Sequence, residues 1–348
     1  MTDLNKLLRE NIKKLIPYSS ARNEYHGEAS VFLDANENPY NEPVNRYPDP
    51  LQSRLKEEIA RIKHVDPTSV FVGNGSDEAI DLIIRAFCEP RLDNIVSIDP
   101  TYGMYGVCAS INHVEFRKIL LTPSFDLNVD ALLSSADAST KVIFLCSPNN
   151  PTSNRFSGDA IRTVLRSFEG IVVLDEAYID FSADRGFLPS LVSHPNLVVL
   201  QTLSKAWGMA GIRLGMAFAD PTIIEVLTKI KYPYNINILT LETALESLKN
   251  SAGPEKWITA IIQQRTMLEK ELKAFSFVSK VFPSDANFLL VKVDNPHDLY
   301  QFLTAQKIIV RDRSGMSLCE GCLRITVGTE NENAKLLEAM KIYQQSRT

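Results

Sequence analysis

From residue 69 to 219 the chain alternates short apolar runs with stretches of helical spacing. The runs are SVFVG, NIVSI, HVEFRKILL, KVIFLC, GIVVLDE, NLVVLQ and GMAFA. Most are apolar at successive positions instead of every second one, the pattern of strands covered on both faces by helices. Ahead of them QSRLKEEIARIK (52–63) sets Leu55, Ile59 and Ile62 at helical spacing after the breaker YPDP, which predicts an amphipathic helix. The alternation predicts an α/β unit with a mostly parallel sheet flanked by helices. After KYPYNIN the texture changes: longer helical stretches, 238–275 and 332–346, surround the strand candidates NFLLVKV and CLRITVG. These predict a smaller α+β unit. The expected division is an N-terminal segment (1–45) in or near the small unit, a large domain (46–235) and a small C-terminal domain (236–348).

Composition narrows the function classes. The 348 residues are 45% hydrophobic and 23% charged, enough for one large core and a second, smaller one. The first twenty residues mix charged and apolar positions, so neither a secretory leader nor a membrane span is expected, and a cytoplasmic location is. A net charge of -5 without a basic cluster argues against a nucleic-acid surface, so any anion site must be local. Cys88, Cys108, Cys146, Cys319 and Cys322 are scattered, and free thiols are expected. CEGC (319–322) lacks a second ligand pair, so no metal site is expected there.

In open α/β sheets ligands bind beyond the carboxyl ends of the strands, and four strand exits carry unusual residues. SVFVG leads into NGSDEAIDLIIRAF, where Ser76 or Asp77 can cap a helix whose N-terminal N–H groups suit a phosphate. KVIFLC leads into SPNNPTS, with Asn149 and Asn150 as neutral donors and acceptors. GIVVLDEAYIDF ends a buried strand on Asp175 and Glu176, followed by Tyr178; a carboxylate placed there calls for a cation or donor. NLVVLQ leads into TLSKAWGMAGIRLG, which sets Thr202, Ser204, Lys205 and Arg213 among small residues. Alone, each exit is explained by a cap, a turn or an ion pair. Together they supply a phosphate cradle, a buried carboxylate, a polar pair with a phenol, and an amine able to bond an aldehyde. Those are the requirements of pyridoxal 5'-phosphate.

On these residues the sequence resembles the fold-type I pyridoxal-phosphate-dependent aminotransferases, from IPYSSAR to CLRITVGT. The motifs LDANENP, NRYPDP, GNGSDEAIDLIIRAFCEP, DPTYGMYGV, SPNNPT, VLDEAYIDF, TLSKAWGMAGIRLG, IIVRDRS and CLRITVGT carry the resemblance. It implies that Lys205 bonds the cofactor's aldehyde and moves the substrate proton, and that Asp175 pairs with the ring nitrogen. Tyr178 and Asn150 would hold the phenolic oxygen and Tyr102 would stack on the ring. Backbone groups of Ser76 and Asp77, with Thr202, Ser204 and Arg213, would hold the phosphate, joined by Tyr47 from the second subunit of a homodimer with shared active sites. Arg324 would meet the amino donor's carboxylate, Arg311 the substrate phosphate, and Tyr18 and Asn36 would close over the substrate.

The wording of TLSKA, DEAYIDF and CLRITVGT is similar to the branch of this family that acts on histidinol phosphate. The implied reaction is transamination between histidinol phosphate and 2-oxoglutarate, giving imidazole-acetol phosphate and glutamate, in histidine biosynthesis. The alternatives are an aromatic amino acid aminotransferase, a threonine-phosphate decarboxylase, or a non-catalytic cofactor-binding regulator. One departure stands out: NPTS puts Ser153 where many relatives carry glycine. If that turn needs positive φ, serine costs about 1 kcal/mol.

Overall fold

The seven apolar runs form one sheet in the computed structural model, which describes residues 4–19, 24, 30–250 and 252–347. Its strands are β1 (Val70–Asn74), β2 (Asn94–Asp99), β3 (Glu115–Leu120), β4 (Thr140–Cys146), β5 (Ile171–Asp175), β6 (Leu197–Thr202) and β7 (Leu214–Ala219). They lie in the order β1-β7-β6-β5-β4-β2-β3. The pairs from β3 through β2, β4 and β5 to β6 are parallel, and β7 runs antiparallel between β6 and β1. Successive residues serve opposite faces. Val142, Phe144 and Val173 join one core with Ile80 and Ile83, while Ile143, Leu145, Val172 and Leu174 join the other with Leu55 and Ile59. That double burial is why these runs are apolar throughout. At the edge, β3 is half exposed, and its sequence keeps charged residues.

The second sheet contains β8 (Val278–Val281), β9 (Phe288–Val293), β10 (Arg311–Asp312) and β11 (Cys322–Thr326), all antiparallel in the order β10-β11-β9-β8. Leu289, Val291, Leu323 and Ile325 bury one face in a core shared with Leu336 and Met340 of the helix Glu330–Gln345. Phe288, Leu290 and Cys322 bury the other face in the core that also contains β4 to β6 residues. Arg324 alternates with Leu323 and Ile325, so it lies on the face turned towards the large sheet.

The expected division needs two corrections. The stretch 238–275 is two helices, Ile238–Leu248 and Ala252–Leu272, and the first inserts Leu241, Ala244, Leu245 and Leu248 into the core with Leu55 and Ile59. The change of unit therefore falls near residue 250, because that helix's apolar face belongs to the large sheet. The described start of the chain also packs on the large unit. Leu4 and Leu8, one helical turn apart, enter the core of Phe71 and Ile80, and Arg9 Nε donates to Glu89 Oε2 at 3.0 Å. Among the described residues, no helix is long and apolar enough to cross a membrane.

Candidate active site

Beyond the carboxyl ends of β4, β5 and β6 lies a cavity. Ser76, Asp77, Tyr102, Asn150, Asp175, Tyr178, Thr202, Ser204, Lys205 and Arg213 all line it, so residues from five separate stretches of sequence meet there. At one end, Gly75 at φ +74° turns the chain from β1 into the helix Ser76–Phe87, which has no side-chain cap. A Cβ at Gly75 would sit 2.8 Å from Arg213 Nη2, so only glycine lets the guanidinium lie against this turn. Gly215 on β7 is pressed against the backbone of Ser76, where a side chain has no room. Thr202 Oγ1 donates to Ser204 Oγ at 3.0 Å and accepts from the Ser204 N–H at 3.1 Å, which gathers both hydroxyls at the same end. A helix N-terminus, two hydroxyls and a guanidinium make an anion cradle.

The middle of the cavity holds the ionisable pair. Asp175, 3% exposed at the end of β5, accepts from Tyr105 Oη at 2.8 Å and from the Ala177 N–H at 3.0 Å. No described cation is bonded to it, and burial pushes its carboxyl up from an ordinary 3.8 to about 6. Across from it, the Lys205 Nζ lies 5.7 Å from the centre of the Tyr178 ring. Among the described residues the Lys205 amine has no hydrogen bond or ion pair, and its proton affinity is lowered by desolvation first and then by the charge of Arg324. A lysine so placed is biased towards the neutral amine, the form that attacks an aldehyde or takes a proton.

A short relay ties this floor to the small sheet. Arg324 Nη1 donates to Asn150 Oδ1 at 2.5 Å, and Asn150 Nδ2 donates to Tyr178 Oη at 3.5 Å. Ser153 makes a second tie. It adopts φ +66°, the strained conformation anticipated for NPTS, and is fully buried. Its hydroxyl donates to Thr152 O at 2.6 Å and to Pro283 O at 3.1 Å, while its carbonyl accepts from the Asp285 N–H at 2.8 Å. Hydrogen bonds to the small unit thus offset the backbone cost.

The other sequence candidates lie apart from this cavity. Tyr47 is half exposed and stacks on Tyr234 with ring centres 4.5 Å apart. Tyr18 is exposed and lines a separate surface cavity with Pro50, Lys56 and Lys231. Asn36 is exposed at φ +54°. Arg311 is exposed on β10, in register with Arg324 on β11. Sequence reasoning missed Tyr105, whose signal was its place one helical turn after Tyr102, and Arg313, whose signal was its place two residues after Arg311.

Residues 21–340 match the family model described as aminotransferase class I and II. The chain belongs to this aminotransferase family. It is 60% identical, over 98% of its length and 99% of the relative's, to the histidinol-phosphate aminotransferase of Parabacteroides distasonis. Among solved structures it is similar to the histidinol-phosphate aminotransferase of Clostridium acetobutylicum, with TM-score 0.81 and 25% identity over 87% of this chain and 92% of that one. The enzyme of the same name from Sinorhizobium meliloti, solved in complex with pyridoxal-5'-phosphate, shares the fold at TM-score 0.80 and 20% identity, over 88% of this chain and 84% of that one.

Proposed function

We propose that this aminotransferase moves an amino group between histidinol phosphate and 2-oxoglutarate, giving imidazole-acetol phosphate and glutamate in histidine biosynthesis, with pyridoxal 5'-phosphate as cofactor. The observation that carries this reading is the convergence on one cavity of the Lys205 amine, the buried Asp175 carboxylate, and the hydroxyls, guanidinium and helix N-terminus of the anion cradle. These three groups match the aldehyde, ring nitrogen and phosphate of the cofactor. A buried carboxylate without a cation is costly, and a protonated ring nitrogen beside Asp175 removes that cost. When bound, the cofactor supplies an aldehyde that accepts the amino group and a ring that takes up the electron pair of the breaking C–H bond.

This chain's residues do the rest. Lys205, with lowered proton affinity, takes the proton from the substrate carbon and returns it. Tyr105 and the Ala177 N–H fix Asp175, Tyr102 covers the pocket floor, and Asn150 with Tyr178 presents donors where the phenolic oxygen would lie. The backbone N–H groups of Ser76 and Asp77, with Thr202, Ser204 and Arg213, hold the phosphate. Arg324 meets the carboxylate of glutamate and Arg311 the phosphate of the second substrate. Tyr18 and Asn36 belong to the segment that would close over it, which requires both to move from their present places. The exposed Tyr47 fits a contribution to the partner's site in a homodimer, and small-molecule substrates in the cytoplasm complete the reading.

The test is steady-state turnover of the purified, cofactor-loaded protein with 2-oxoglutarate and one amino donor at a time. Histidinol phosphate is expected to exceed phenylalanine in kcat/KM by at least about 10²-fold, the scale on which losing a recognised charged group discriminates. Preference for phenylalanine, or release of carbon dioxide from threonine phosphate, would overturn the reading.

A further inference from the structure

Arg311, Arg313 and Arg324 share one face of the small sheet. Arg311 and Arg324 are directly opposite in register, and the Arg313 N–H continues the ladder by donating to Cys322 O at 2.9 Å. One residue, Asp312, separates Arg313 from Arg311, so both point the same way. That face is the one turned to the large sheet, where Cys322 enters the shared core and Arg324 reaches Asn150. Asp312, the acid between them, is turned aside and accepts from Ser314.

Three guanidinium groups gathered this way repel one another. The charges of Arg324 and Arg311 both disfavour the charge on Arg313, after the larger effect of its burial. Among the described residues no carboxylate is paired with any of the three. Arg313 also has a buried Nε–H with no hydrogen-bond partner, although its charge is felt at the Tyr178 ring beside Lys205. A buried donor left unmade is costly, and like charges without a counter-ion raise that cost. An anion with several acceptor oxygens answers both.

We propose that Arg313 is a specificity-determining residue that binds the phosphate group of the substrate together with Arg311, leaving Arg324 to the carboxylate of the amino donor. The inference rests on the phosphate-ester substrate read above. A guanidinium fork presents parallel N–H groups to two phosphate oxygens, which a dianionic ester fills better than a single carboxylate. Arg313 is therefore the residue by which the enzyme tells a phosphorylated amine from its free alcohol.

The experiment compares the cofactor-loaded wild type with R313Q and R313K. Competitive inhibition by inorganic phosphate, KM for histidinol phosphate, KM for histidinol, and the half-reaction with glutamate are measured on each. R313Q is expected to weaken inorganic phosphate and histidinol phosphate by about tenfold or more, to leave histidinol and glutamate within about twofold, and R313K to fall between. Unchanged phosphate inhibition in a folded R313Q, or an equal loss with glutamate, overturns the proposal. The inorganic phosphate arm reports on Arg313 even if histidinol phosphate proves not to be the substrate, in which case the functional reading fails by itself.

Discussion

At the end of β5 the Asp175 carboxylate is met by two donors from its own unit, and nearby Glu176 is met by the Gln201 amide and the Phe187 N–H. Across the cavity, the arginines of β10 and β11 meet no acid among the described residues. The large sheet builds these carboxylates into place with neutral hydrogen bonds, whereas the small sheet, on the proposed reading, holds its charge for ligands that arrive and leave. A cofactor site has to be fixed before substrate binds; a site that takes two substrates in turn has to release each of them.

The largest effect should come from the group that both sides face. Lys205→Ala is expected to lower turnover by about 10⁴-fold or more while the fold and the arginine face survive, checked by single-turnover kinetics with glutamate. On the proposed reading Asp175→Asn removes the charge that would face the cofactor ring, and a loss of about 10²–10³-fold in kcat is expected. The same variant tests the pH behaviour of the cofactor-free protein. The Asp175 carboxyl is raised from 3.8 to about 6, so the folded state favours its protonated form. Its contribution is complete below about pH 4 and lost as pH rises through about 6. Thermal melts should therefore show the cofactor-free wild type losing stability over that window, and Asp175→Asn declining less.

Tyr105→Phe removes one of two neutral donors to Asp175, and cofactor affinity by equilibrium dialysis should fall about fivefold to tenfold. Ser153→Ala keeps the positive φ but drops the bond to Pro283, so about 1 kcal/mol of stability should go in urea melts. An unchanged midpoint there would mean that the tie between the two units does not hold the strained turn.

Most of the floor was legible because each of its residues sits directly after a buried strand, where an apolar run ends and polar residues begin. Lys205, Asp175, Asn150 and the Ser76 turn all carry that mark. Tyr105 and Arg313 do not: their roles depend on what faces them from another element, and periodicity reads one element at a time. The same limit moved the boundary from 235 to near 250. The helix Ile238–Leu248 shows an apolar face in sequence, but not which sheet that face covers. The short β8 and β10 were unforeseen because four residues, VSKV, and two, Arg311 and Asp312, carry too little alternation to stand out. The start of the chain was assigned to the wrong neighbour for a related reason, since Leu4 and Leu8 reveal a buried stripe without revealing its partner.

The central claim, that one pocket takes both halves of the exchange through Lys205, is tested most directly by adding single amino compounds to the cofactor-loaded protein and following its visible absorbance. Histidinol phosphate and glutamate, each alone, should convert the cofactor to its aminated form, and histidinol should do so far less well. Conversion by only one of the two, or equally by phenylalanine, would contradict the account.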